Sequence, residues 1–174
     1  MYRIYVERKP GFDAEATRIF SEISGFLGIS GVTKVRYLNR YDIENTSDDV
    51  SAMAAKRIFS EPQSDVVSEK IDIPSGDSVI VWEYLPGQYD QRADSAEQCL
   101  SLLREALKDS VKVGTKPPRV RCAKIVILSG SVSANDVEKI QKYLINPVDS
   151  RLTDDKIPET LEMKADVPAD IPVV

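Results

Sequence analysis

The sequence predicts an α+β fold: two tandem units related by a pseudo-twofold, forming a mostly antiparallel sheet with helices on one face. Three observations carry that expectation. An apolar strand, a Pro-Gly turn, an aspartate and an apolar helical stripe follow one another at Pro10-Gly11, and the same series recurs at Pro86-Gly87. The elements after each copy then come in the same order and stop at a proline, Pro62 in the first and Pro147 in the second. Several strands of the second copy are apolar on both sides, which requires cover on both sides. Recurrence of this kind is the first thing to look for in a chain, because it decides the architecture.

The first unit opens at residues 2–9, where Ile4 and Val6 alternate with polar neighbours as in a half-buried strand. Pro10-Gly11 is a turn signal, since proline presets φ and glycine accepts φ > 0. Asp13 sits at the N-cap position of a helix whose stripe is Ala16, Ile19, Phe20, Ile23 and Leu27. Glycines at 25, 28 and 31 stop it. Residues 32–44, rich in Val, Tyr and Ile, form an extended region that Asn39-Arg40 is expected to bend into two strands. Ser47 caps a second helix carrying Val50, Met53, Ala54, Arg57 and Ile58, and Pro62 ends it. Residues 66–73 alternate as a strand, and Pro74-Ser75-Gly76-Asp77 closes the unit.

The second unit runs from a strand at residues 78–84, through Pro86-Gly87 and the cap Asp90, into a helix bearing Ala93, Ala96, Leu100, Leu103 and Leu107. Cys99 shares the Ala96, Leu103 and Ala106 side of that helix and is expected to be a small core residue. A Gly114-Thr115-Lys116-Pro117-Pro118 loop holds the residues by which this unit exceeds the first. A strand at 119–128 and a helix capped by Ser133, with Val137, Ile140 and Leu144, lead to Asn146-Pro147. Val79, Val81 and Leu85 line one strand face and Ile80, Trp82 and Tyr84 the other, so Trp82 is read as core or interface. Helices can cover one face; the other is expected to need the twin unit or a partner. The boundaries are 1–76 for the first unit, 77–157 for the second and 158–174 for a Pro-punctuated linker. Ending on Ile-Pro-Val-Val, the chain reads as a fragment of something larger.

Composition narrows the chemistry. The 174 residues carry a net charge of −5, against the clustered positive charge that non-specific nucleic-acid binding needs. No apolar run approaches the roughly 20 residues of a membrane span, and the start already reads as a strand, so the expectation is a cytoplasmic protein. Two cysteines make no disulfide framework. The chain has no histidine, which removes Ser-His-Asp and Cys-His sites and His-ligated zinc together. Lys112, Lys116, Arg119, Arg121 and Lys124 gather near the second-unit loop, either as an anion contact or as a solvated edge that guards against strand aggregation. The polar first turns of the helix after Asp90, from Gln91 to Ser95, could hold an anion, cap the helix, or dock against a neighbour.

Four blocks carry a resemblance. They are Tyr5-Val6-Glu7-Arg8-Lys9-Pro10-Gly11-Phe12-Asp13, Leu38-Asn39-Arg40-Tyr41-Asp42, residues 85–99, and Lys142-Tyr143-Leu144-Ile145-Asn146-Pro147-Val148-Asp149-Ser150-Arg151. Together and in this order they resemble the N-terminal part of large phosphoribosylformylglycinamidine synthase, over about residues 1–160. The resemblance implies a duplicated PurS-like domain. It also implies a parent enzyme that uses ATP, magnesium and glutamine to amidate formylglycinamide ribonucleotide in purine synthesis. The catalytic parts of that family, a synthetase region and a glutaminase with a Cys-His-Glu triad, lie downstream of such a domain. No catalytic, cofactor-binding or metal residue is therefore assigned here. The implied role is to hold synthetase and glutaminase domains in place for ammonia transfer. Docking residues are expected at Pro86, Gly87, Gln91, Arg92, Asp94, Asn146, Pro147 and Arg151. The competing expectations are a free-standing module that binds a small metabolite between its two units, and a generic interaction domain.

Overall fold

The computed structural model describes residues 1–108 and 116–162. The strands are β1 (Tyr2–Arg8), β2 (Val32–Glu44), β3 (Asp65–Ser68), β4 (Ser78–Tyr84), β5 (Arg119–Gly130) and β6 (Ser150–Leu152). The helices among the described residues are α1 (Ala14–Ser21), continued by a π-helical turn (Glu22–Phe26), α2 (Asp48–Arg57), α3 (Gln91–Ala106) and α4 (Ala134–Leu144). All strand pairs are antiparallel, in the order β3-β1-β2-β5-β4-β6, so one six-stranded sheet carries the whole fold.

The two long strands meet in the middle. β2 pairs with β5 from Val32↔Gly130 to Glu44↔Arg119, with one irregularity between Val32 and Lys34. The two halves of the chain thus join edge to edge in one sheet, whereas the sequence reading has the open face of one half covered by the other or by a partner. No bend splits β2 at Asn39-Arg40. Both flanking strands pair it through that point, Val6 and Tyr5 on one side and Lys124 and Ala123 on the other. At the end of this pairing the backbones close in on two glycines. Gly130 has φ +122°, and a methyl group built on it would overlap the carbonyl oxygen of Gly31.

Alternation along the strands separates two faces. Ile4, Val6, Tyr41, Ile43 and Val120 join Val50 and Ala54 of α2 and Ala96 and Leu100 of α3 in one cluster. Val35, Ile80, Trp82, Val126 and Leu128 join Ala16 and Ile19 of α1 and Ile140 of α4 in a second. Both clusters lie on the same side of the sheet, so the four described helices cover one face. Each cluster draws on elements from both halves of the chain. On the helix-free face Tyr5, Leu38, Val81, Ile125 and Ile127 form a third cluster, with Ile71 packed against it. Ile71 lies within the 66–73 run expected to be strand; pairing ends at Ser68.

Some local details are alike in the two halves of the chain. Gly11 and Gly87 have φ of +89° and +88°. Each Pro-Gly turn is closed by one amide, Phe12 N to Lys9 O at 2.9 Å and Gln88 N to Leu85 O at 3.0 Å. Lys9 N donates to Ser64 O and Leu85 N to Asp149 O, both at 2.8 Å. Ser47 and Ser133 cap α2 and α4 with the same dihedrals, φ −73° and ψ 157°. Asp90 caps α3 by accepting from Arg92 N and Ala93 N, whereas Asp13 makes no such bond to α1.

Three further departures have local causes. Cys99 is exposed, because the buried side of α3 is Ala96, Leu100 and Arg104. β6 stands where a loop was expected, its three residues too few to show alternation. Residues 154–162 include the start of the expected linker and pack on the domain. Leu161 is only 4% exposed and its amide donates to Glu44 Oε2 at 3.1 Å. The rest of that linker, 163–174, lies outside the described residues, as do Lys112, Gly114 and Thr115.

The helix-free face also holds a charged cluster. Asp42 is fully buried between Arg3 and Arg40. Arg3 Nε and Nη2 donate to its two oxygens at 2.5 and 2.9 Å. Arg40 Nε lies 3.5 Å from Asp42 Oδ2, an ion-pair distance without a hydrogen bond. Residues 154–156 strap across both guanidiniums. Arg40 Nη1 donates to Asp154 O at 2.7 Å, Arg3 Nη2 to Lys156 O at 3.0 Å, and Tyr5 OH to Asp155 Oδ2 at 2.8 Å.

Candidate functional site

The two stretches expected to dock meet at one corner, where β4 leaves the sheet. The Leu85–Asp149 bond ties the Pro86-Gly87 turn to the loop that follows α4. Beyond Glu83, β4 no longer pairs with β5, and at Val120 the side chain of Glu97 from α3 accepts the backbone amide at 2.8 Å. That end of pairing opens the sheet beneath the start of α3.

Two adjoining clefts fill the opening. The larger, of about 450 Å³, lies on the helix side under the first turns of α3. Its floor is Asn39, Cys122, Lys124, Trp82 and Tyr84, and its wall includes Gln91 and Arg92. The smaller, of about 220 Å³, runs over the Pro86 turn and includes Asp94 and Arg151 in its wall. Gly87, Asn146 and Pro147 line neither cleft; they are exposed on the ridge beside them.

Four of the expected docking residues make defined side-chain contacts. Asp94 Oδ2 accepts from Tyr89 OH at 3.0 Å and from Gln98 Nε2 at 2.8 Å, which braces the turn against α3. Asn146 Oδ1 accepts from Val148 N at 3.2 Å, and its carbonyl accepts from Ser150 N at 2.9 Å, which starts β6. Arg151 Nη2 meets buried Glu83 Oε1 at 2.7 Å, with the guanidinium 46% exposed. Arg92 Nη1 donates to Tyr41 OH at 2.9 Å.

Burial shapes the titrating groups here. It pushes the Tyr37 phenol up to about 12 and raises Tyr41, against the opposing pull of Arg92 on the latter. Burial, reinforced by Asp90, holds the Cys122 thiol well above its ordinary range. Cys122 is thus a protonated, unreactive thiol at neutral pH. Among the described residues no group of three or more His, Cys, Asp or Glu side chains is placed to hold a metal ion.

Sequence reasoning missed the floor of the larger cleft. The sequence assigns Asn39 to a bend and Trp82 to core or interface; Trp82 is 6% exposed and lines the cleft. The signal available was a polar residue in the middle of each long apolar strand. The basic group around the loop is not one patch. Lys116 pairs with Glu162 at 2.9 Å, and Arg121 and Lys124 lie on opposite faces of β5 by the strand's alternation. No protein-family model matches the chain, and no curated protein matches it in sequence. No described helix is long and apolar enough to cross a membrane.

Proposed function

We propose that this chain is the N-terminal scaffold domain of a phosphoribosylformylglycinamidine synthase, built from two tandem PurS-like units related by a pseudo-twofold. The observation that carries the reading is the recurrence of unit-end bonds. Lys9–Ser64 and Leu85–Asp149 close the same corner in each half, beside Pro-Gly turns of nearly equal φ. The strand order, with each half contributing a trio and the second strand of each at the centre, supports the same reading. These elements coincide with the blocks that carry the resemblance: the first covers β1 and its turn, and the last runs from α4 into β6.

In this role the domain performs no chemistry. It positions an ATP-dependent synthetase domain and a glutaminase domain so that ammonia passes between them without escaping to water. The Pro86–Ser95 and Asn146–Arg151 stretches, joined at one corner, form the docking surface. ATP and magnesium belong to the downstream domains, and the partners are those domains, with neither nucleic acid nor membrane involved. Units 1–76 and 77–157 act as one body, and 158–174 leads towards the next domain.

The test uses a large synthase from which the corresponding N-terminal domain has been deleted. Adding this chain in trans is expected to restore glutamine-dependent amidation more than ammonia-dependent amidation. Glutamine hydrolysis by this chain alone, or failure to associate with the truncated enzyme, would overturn the proposal.

A further inference from the structure

The helix-side face has a polar seam at its centre. One row of side chains crosses the sheet from strand to strand as Val6, Asn39, Lys124, Trp82 and Leu152. Its ends are apolar and its middle is not. The seam lies between the two helix-covered clusters, and the larger cleft stands over it.

Two cations, Lys124 and Arg92, line this cleft together with two carboxylates, Asp90 and Glu83, and differ from them in how they are paired. Lys124 has no carboxylate or hydrogen-bond partner among the described residues; its ammonium stands 5.7 Å from the Tyr84 ring centroid. Arg92 has Tyr41 OH as its hydrogen-bond partner and makes no ion pair among the described residues. The nearby carboxylates are already engaged. Asp90 accepts two amides of α3, Glu83 takes Arg151, and Glu15, whose carboxyl feels Lys124, is bound to Arg18 at 2.7 Å. A half-buried ammonium with no carboxylate in direct contact is less well compensated than a paired one.

We propose that this seam is a binding site for a small phosphomonoester. Lys124 and Arg92 supply two positive charges to match a phosphate dianion, and Asn39 and Gln91 supply amide donors from floor and wall. A free phosphate ion would leave most of the cleft empty. Its volume falls within the range of about 300–1,000 Å³ typical of sites for small organic ligands. The Tyr84 ring and the edge of Trp82 offer an apolar wall for the sugar-sized remainder. Asn39 belongs to the first half and Lys124 to the second, so the ligand would bridge the central strand pair. This site stands independently of the scaffold reading.

The test is an NMR titration and calorimetry of the whole chain with ribose 5-phosphate. Ribose is the uncharged control, and chloride matches the ionic strength. Saturable binding is expected, with the largest shifts at the Asn39 and Gln91 side-chain amides, and with inorganic phosphate competing at the same residues. Lys124→Met and Arg92→Gln are each expected to weaken binding by roughly 10-fold or more, the size expected for one charge-assisted contact. Lys116→Met, outside the cleft, is expected to leave binding unchanged. Equal binding of ribose, shifts confined to residues away from Asn39 and Gln91, or undiminished affinity in Lys124→Met would overturn the proposal. The shift map of the unaltered chain decides the matter even if a variant fails to fold.

Discussion

Replacing Asp42 by asparagine tests the charged cluster on the helix-free face. The carboxylate is fully buried and holds Arg3 through two hydrogen bonds of 2.5 and 2.9 Å, with Arg40 Nε at 3.5 Å. Asparagine keeps the volume but removes the charge, and turns an NH₂ group towards guanidinium donors. Two buried cations are then left with Asp155, which is 45% exposed. Breaking a buried pair in this way costs about 3–5 kcal/mol. Against a total stability of about 5–15 kcal/mol, that is a large share. At roughly 2–4 °C per kcal/mol for a chain of this size, the melting temperature falls by roughly 6–20 °C. Asp155→Ala removes the outer partner of the same guanidiniums, yet its exposure discounts the effect to at most about 1 kcal/mol. Urea unfolding of the three proteins, with slopes compared to check that compactness is unchanged, measures both numbers. An Asp42→Asn protein within about 1 kcal/mol of the parent, or Asp155→Ala as damaging as Asp42→Asn, would refute this account of the cluster.

Other expectations follow from single features. Gly130→Ala places a methyl group against Gly31 O at a positive φ, and is expected to destabilise by about 2 kcal/mol or more by thermal unfolding; a neutral result would mean that the β2–β5 end relaxes freely. Tyr37, held near 12 by burial against an ordinary 10.0, binds its proton more tightly folded than unfolded. Its contribution, roughly 2–3 kcal/mol, is complete below pH 10 and is lost as pH rises towards about 12. Alkaline unfolding of Tyr37→Phe should therefore show a shallower loss of stability than the parent, and equal slopes would contradict the assignment. A thiol reagent should modify exposed Cys99 rapidly in the native protein and Cys122 much more slowly, because burial holds the Cys122 thiol in its protonated form; equal rates at both would contradict that assignment.

Much of the fold was readable because its signals are local. Pro-Gly turns, serine caps and period-two alternation placed β1, β4, β5, α2 and α4 without reference to the rest of the chain. The failures share a different cause. Whether the two halves of the chain stack or join edge to edge depends on β2–β5 pairing, between residues some 85 apart in sequence as Asn39 and Lys124 are. No local rule records that. Cys99 fell on the wrong side because Arg104, a charged residue, takes a buried position that the stripe had given to Leu103 and Leu107. β6 could have been inferred, since Ser150 follows Pro147 as Asp65 follows Pro62. The expected docking residues were gathered by the structure at one corner, whereas the cleft floor was hidden. Asn39 and Lys124 become neighbours only once the two long strands are side by side.

The shared composition of the two helix-side clusters bears on how the protein emerges from the ribosome. Ile19, Ile23 and Val35 are synthesised early, but their cluster also needs Ile80, Val126, Leu128 and finally Ile140. A nascent chain therefore carries these early side chains uncovered through most of its synthesis, when aggregation competes with folding. Loop closure over such distances is slow, so maturation is expected to be a single late event after α4 has cleared the exit tunnel, without a stable half-built stage.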